Sequence, residues 1–157
     1  MIALKSLFFL VLVPGLLIGY LPYRISMTDV ELLDPGVPGY LAFPLWLIAA
    51  VMMLWCFLDF TFKGRGTPAP FDPPKELVAA GLYRFVRNPM YVAGILALLG
   101  WFLWSPSFPL IVAPILFFAA AHLFVTLYEE PTLKQKFGVS YEGYLRRVPR
   151  WIPRFRS

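Results

Sequence analysis

Residues 89–128 read PMYVAGILALLGWFLWSPSFPLIVAPILFFAAAHLFVTLY, a stretch without a single Asp, Glu, Lys or Arg. An apolar run of that length belongs in lipid, because about 20 apolar residues in a helix cross a bilayer core and every backbone polar group there must be satisfied internally. Two helices fit, over 89–104 and 108–128, and the break between them is Ser105-Pro106-Ser107. So short a connection turns the chain straight back, and the two form a tight antiparallel hairpin. Pro89 suits the first turn of the helix it opens. At the α-helical rise that helix is about 24 Å long against a core of about 30 Å, so one of its ends is drawn into the membrane or covered by protein.

Outward from the hairpin, the composition carries the same message. The chain is 59% hydrophobic and 15% charged, with mean hydropathy +0.69; a soluble domain carries roughly 25% charged residues and covers itself with them. Two further apolar runs, 2–21 and 40–60, complete an all-α integral membrane domain over residues 1–157 with about four transmembrane helices. Pro14-Gly15 is tolerated in the first as a kink. No small-x-small cleavage site comes after it before Pro22-Tyr23-Arg24, so it reads as a span and not as a secretory signal. Between and after the spans lie a loop, 61–88, and a tail, 129–157. The single cysteine, Cys56, sits inside an apolar run, which excludes an intramolecular disulfide and a cysteine-based metal centre; no metal is expected.

The loop charges orient the chain. The segment after the first run sets Arg24 against Asp29, Glu31 and Asp34, and the hairpin turn carries no charge. The 61–88 segment has Lys63, Arg65, Lys75, Arg84 and Arg87 against Asp72 and Glu76, and the tail is more basic still. Positive charge stays inside, which places the loop, the tail and both termini in the cytoplasm. No nucleic-acid motif accompanies the basic residues, so anionic membrane lipids are their expected partners and nucleic acid is not. Gly94 and Gly100 serve packing within the bundle or between chains, which leaves oligomeric state open.

Polar residues concentrate near the cytoplasmic ends. Gly81-Leu82-Tyr83-Arg84-Phe85-Val86-Arg87-Asn88-Pro89-Met90-Tyr91 sets arginines and tyrosines against the N-terminus of the short third helix, where free N–H groups and the helix dipole favour a carboxylate or phosphate. Headgroup anchoring by Arg84 and Arg87 is the equal alternative. The fourth helix ends in Glu129-Glu130, two carboxylates where the dipole opposes them and where cations are the usual anchors. At 100° per residue His122 and Thr126 share a face with Glu129, a polar stripe that in a membrane helix points into the bundle or a wet cavity. For His122 a satisfied buried histidine stands beside the functional reading. From Pro131 onward, Leu133, Phe137, Tyr141, Tyr144 and Val148 recur at spacings of four and three among basic residues, as in an amphipathic helix lying on the membrane, which Gly138 weakens or splits.

Taken in order, Gly81–Tyr91, the helical hairpin, Glu129-Glu130-x-x-Leu133, Phe137-Gly138 and Tyr141-x-x-Tyr144-x-x-x-Val148-Pro149-Arg150 resemble the isoprenylcysteine carboxyl methyltransferase and phospholipid N-methyltransferase family over the C-terminal half of the chain. The resemblance implies an integral membrane enzyme that uses S-adenosylmethionine, held on the cytoplasmic side by the last two helices and the tail. The cofactor-side candidates are then Tyr83, Arg87, Asn88, Pro89, Tyr91, His122, Glu129 and Glu130. Aromatic faces at Tyr83 and Tyr91 suit a sulfonium, and the carboxylates suit ribose hydroxyls or a cationic amine. One departure is Asn88 where the family usually has His, which keeps hydrogen bonding and loses a titratable base. Arg146 and Arg147, before Val148-Pro149, are the catalytic candidates on the acceptor side, steadying the head of a lipid-like or amphiphilic acceptor. A carboxylate, an amine or a thiol all fit that description, and a non-catalytic scaffold or lipid-binding subunit is the competing class.

Overall fold

Helix α3 (Pro89–Trp104) is the axis of the computed structural model, which describes residues 8, 11–28, 34–64 and 75–154. Around it stand α1 (Val11–Ser26), α2 (Val37–Lys63) and α4 (Phe108–Phe137), with α2 making the broadest contact and α4 the next. A short α5 (Val139–Arg147) and a 3₁₀ turn at Gly81–Arg84 complete the described structure, in which there is no strand. The expectations resting on Asp29, Glu31, Arg65 and Asp72 lie outside the described residues.

Two helices, α2 and α4, are long and apolar enough to cross a membrane, with peak mean hydropathies of 2.3 and 2.4. Only 17% and 22% of those apolar windows are buried, where the core helix of a soluble protein would be mostly covered. Phe43, Leu47, Val51, Leu54, Ile115, Leu116, Leu123 and Leu127 instead face outward. Helices α1 and α3 are shorter apolar rods. Close approach is set by glycine: a Cβ at Gly94 would stand 2.9 Å from the Phe117 ring, and one at Gly100 2.6 Å from Trp46 Nε1. Both glycines therefore serve packing within the bundle.

The hairpin begins and turns where its sequence predicts, but α4 does not stop at Tyr128. It continues to Phe137 through a wider π turn at Val125–Glu129, in which the Glu130 N–H reaches back to the Val125 carbonyl. Proline explains the local geometry. Pro131 has no N–H and its ring collides with the carbonyl four residues earlier, and the widened turn relieves the crowding. The same solution appears in α1, where the π turn Gly15–Tyr20 precedes Pro22 and carries the helix on to Ser26, past the expected end at residue 21. The Ile18 carbonyl, four residues before Pro22, is taken by the Trp101 indole N–H at 2.9 Å.

The tail also differs from expectation. Gly138, with φ +53°, splits it into the end of α4 and α5. Its apolar stripe does not lie on the membrane: Tyr141, Tyr144 and Val148 are buried among Leu77, Leu133 and Phe137. After Val148, which is extended as residues before proline are, the chain doubles back over the start of α3. The short third helix is thus covered at that end by protein, with Asn88 and Pro89 buried.

Candidate functional site

A cavity of about 680 Å³, counting its open mouth, lies where α1, α2, α3 and α4 diverge. One side is apolar: Val13, Pro14, Leu17 and Ile18 from α1, Met53 and Phe60 from α2, Phe117 from α4. The other end is polar, formed by Tyr83, Arg87 and Asn88 before α3, Tyr91 in its first turn, and Glu129 from the π turn of α4.

The 3₁₀ turn positions Tyr83. Gly81 opens it at φ +58°, a conformation that favours glycine, and a Cβ there would overlap the buried Asp59 carboxylate. The Tyr83 ring then packs edge-on against Phe60 at 5.5 Å, and its carbonyl accepts a 2.7 Å bond from the Tyr144 hydroxyl. Burial pushes both hydroxyls above the ordinary tyrosine range, so they stay protonated and serve as donors.

The adjacent carboxylates meet opposite fates. Glu130 is gripped by two guanidiniums: Arg150 donates from Nε and Nη2 at 2.8 Å each, and Arg87 from Nη1 at 2.7 Å. The bond to Glu130 raises the Arg150 guanidinium further above its ordinary value. Glu129 faces the cavity with one neutral partner, the Tyr91 hydroxyl at 3.2 Å, and has no ion pair among the described residues. Arg87 Nε is buried at the same end without a hydrogen-bond partner there. The polar end therefore offers a part-buried carboxyl group without a described counter-ion, bonded to the Tyr91 hydroxyl and sharing the lining with Tyr83.

The remaining candidates stand elsewhere. Glu130 and Pro89 lie behind the lining, the first as counter-ion and the second as the buried start of α3. His122 is not brought to the cavity: its Nδ1 accepts the Trp151 indole N–H at 3.1 Å. Thr126 returns its hydroxyl to the His122 carbonyl at 2.7 Å. The π turn accounts for the parting of His122 and Glu129, because an added residue rotates every later side chain by about 100° around the helix axis. Arg146 and Arg147 are exposed on α5, and Arg147 Nε bonds the carbonyl of Gly143 in its own helix. The cation that turns inward is Arg150. Its signal in the sequence was Pro149, which ends α5 and forces the next residue off the helical stripe. The α1 contribution to the lining has no signal in the sequence beyond apolarity.

Outward apolar faces around a partly open cavity at one end of the bundle are those of a helical membrane protein. The chain belongs to the phospholipid methyltransferase (PEMT) family, whose profile matches residues 38–140. It is 29% identical over 146 residues to the nickel-cobalt-cadmium resistance protein NccN of Alcaligenes xylosoxydans xylosoxydans, a match covering 91% of this chain and 61% of that protein. It is 35% identical over 63 residues to an uncharacterized protein of Haemophilus influenzae, covering 40% of this chain and 100% of that one. No solved structure matches the chain.

Proposed function

We propose that the protein transfers a methyl group from S-adenosylmethionine to a lipid-like or amphiphilic acceptor at the cytoplasmic face of a membrane, which it crosses four times with both termini inside. The carrying observation is Glu129, the carboxylate left without a counter-ion at the polar end of an otherwise apolar cavity. Such a group fits a ligand that brings its own cation, and the buried, unpartnered Arg87 Nε fits one that also brings an acceptor. S-adenosylmethionine meets both conditions and, when bound, supplies an electrophilic methyl on a sulfonium.

In this reading each side chain has a physical task. Tyr91 orients the Glu129 carboxylate through its hydroxyl, and Glu129 holds the cofactor's cationic group. Tyr83 and Tyr91 offer ring faces to positive charge, worth about 0.5–2 kcal/mol each. The apolar wall from α1, Met53 and Phe117 excludes water and accommodates the acceptor's hydrocarbon, so that nucleophile and methyl are held in line. No side chain need become covalently attached. Arg146 and Arg147, exposed beside the membrane surface, would attract anionic headgroups at about 1 kcal/mol per charge without entering the cavity.

Isothermal titration of the purified protein with S-adenosylmethionine tests the reading. Wild type is expected to bind, and Glu129→Gln to bind about tenfold or more weakly, since the amide keeps size and loses a charge-assisted interaction. Folded wild type that binds no S-adenosylmethionine would leave the non-catalytic scaffold.

A further inference from the structure

We propose that Arg150 is the positioning residue of this site: without touching the cavity, it holds Glu130 so that Arg87 and Glu129 keep the orientations that make the polar end. The inference rests on the reading of that end as the S-adenosylmethionine site. Its first support is charge. Arg87, Arg150, Glu129 and Glu130 form a set of two cations and two anions in which Glu130, at 15% side-chain exposure, takes both cations. Removing Arg150 leaves one guanidinium between two neighbouring carboxylates. Arg87 can then swing towards Glu129 and neutralise the group that the cofactor needs free.

The main chain carries the second support. The Arg87 N–H donates to the Pro149 carbonyl at 2.9 Å, Asn88 Nδ2 to the Arg150 carbonyl at 3.1 Å, and the Arg154 N–H to the Phe85 carbonyl at 3.2 Å. Residues 148–154 are thereby laced along the segment that supplies the cavity lining. Trp151 ties the same segment to α4 through His122 and packs edge-on against Phe118 and Tyr91 at 5.1 and 6.3 Å. Arg150 is braced on both sides, and its fork meets both oxygens of one carboxylate. A lysine, with a single point of contact, cannot reproduce that grip.

A purely structural Arg150 would only dock the returning segment, which Trp151 also does. A double-variant cycle separates the two roles. The affinity for S-adenosylmethionine is measured for Arg150→Gln, Glu130→Gln and the pair, with hydrogen exchange at the Arg87 and Arg154 amides reporting whether the returning segment remains docked. Each single variant is expected to bind about tenfold more weakly, and the pair to bind within about threefold of Glu130→Gln alone, because Arg150 acts only through the Glu130 carboxylate. Should Arg150→Gln fail to fold, Arg150→Lys gives the same test with a loss of about threefold. Additive losses in the pair, or wild-type affinity in the single Arg150 variant, would overturn the proposal. A readout without ligand keeps it separate from the cofactor reading: the NMR signal of Arg87 Nε–H should shift in Arg150→Gln but not when Arg150→Gln is added to Glu130→Gln, and an unshifted signal in the single Arg150 variant overturns it even if S-adenosylmethionine does not bind.

Discussion

The two ends of α3 show opposite ways of finishing a helical bundle. At its C-terminal end, Trp46, Trp101, Trp104 and Phe43 fill the space, with the Trp46 and Trp101 rings 4.9 Å apart and Phe43 5.4 Å from Trp104. Both inner indoles give their N–H to main-chain carbonyls, Trp46 to Ala97 at 3.1 Å and Trp101 to Ile18 at 2.9 Å. Those polar hydrogens are used within the chain and the packing is tight. At the N-terminal end the helices diverge, a cavity opens, and one carboxylate lacks a described counter-ion. One end of the bundle is filled by packed rings; the other keeps space and a carboxyl group without a described counter-ion.

Adding volume at each end should expose this difference most strongly. Gly100→Val puts side-chain atoms into Trp46, which must swing out and give up Ala97; about 3 kcal/mol of stability should be lost in thermal or denaturant unfolding in detergent. Equal stability to wild type would mean that the tryptophan end is not tightly packed. Trp101→Phe keeps most of the ring and leaves the Ile18 carbonyl unpaired beside Pro22, an expected loss of about 1 kcal/mol in the same measurement. At the hollow end Met53→Phe fills space that is already open, so stability should change by less than about 1 kcal/mol while S-adenosylmethionine or acceptor binding weakens. Destabilisation as large as that of Gly100→Val would show the cavity to be absent in solution.

The smallest effect belongs to the exposed pair between Lys134 and Glu142, 3.0 Å apart. The hydrogen bond from Lys134 holds the Glu142 carboxyl below its ordinary range. A depressed carboxyl contributes stability above its unfolded value, near 4.3, and loses it as pH falls through the lower folded value. Any difference between Glu142→Gln and wild type should therefore be present at neutral pH, where it is small because the pair is exposed, and should vanish in acid as pH falls below about 4.3. A clear loss at pH 7 would give the tail more structural weight than its exposure implies.

Much of this organisation was already legible in residue order. The uncharged run from Pro89 to Tyr128 specifies the hairpin and the place where each of its helices begins, because lipid-soluble helices need only apolar length and a proline-serine turn. The ordered motifs identified Tyr83, Arg87, Asn88, Tyr91 and Glu129 as candidates, and these line one end of the cavity. What sequence could not decide was direction. Two adjacent glutamates look alike in one dimension; a π turn, Pro131 and a returning arginine made one a counter-ion and left the other facing the cavity. His122 lost its alignment with Glu129 for the same reason, since angular spacing assumes an unbroken α-helix. Arg150, the α1 wall and the buried face of α5 came from segments far apart in the chain, brought together by packing that no local period encodes. Length and polarity are set by composition, but the assignment of charges to partners is a property of the assembled bundle, because only there do a carboxylate and a guanidinium twenty residues apart come to share one geometry.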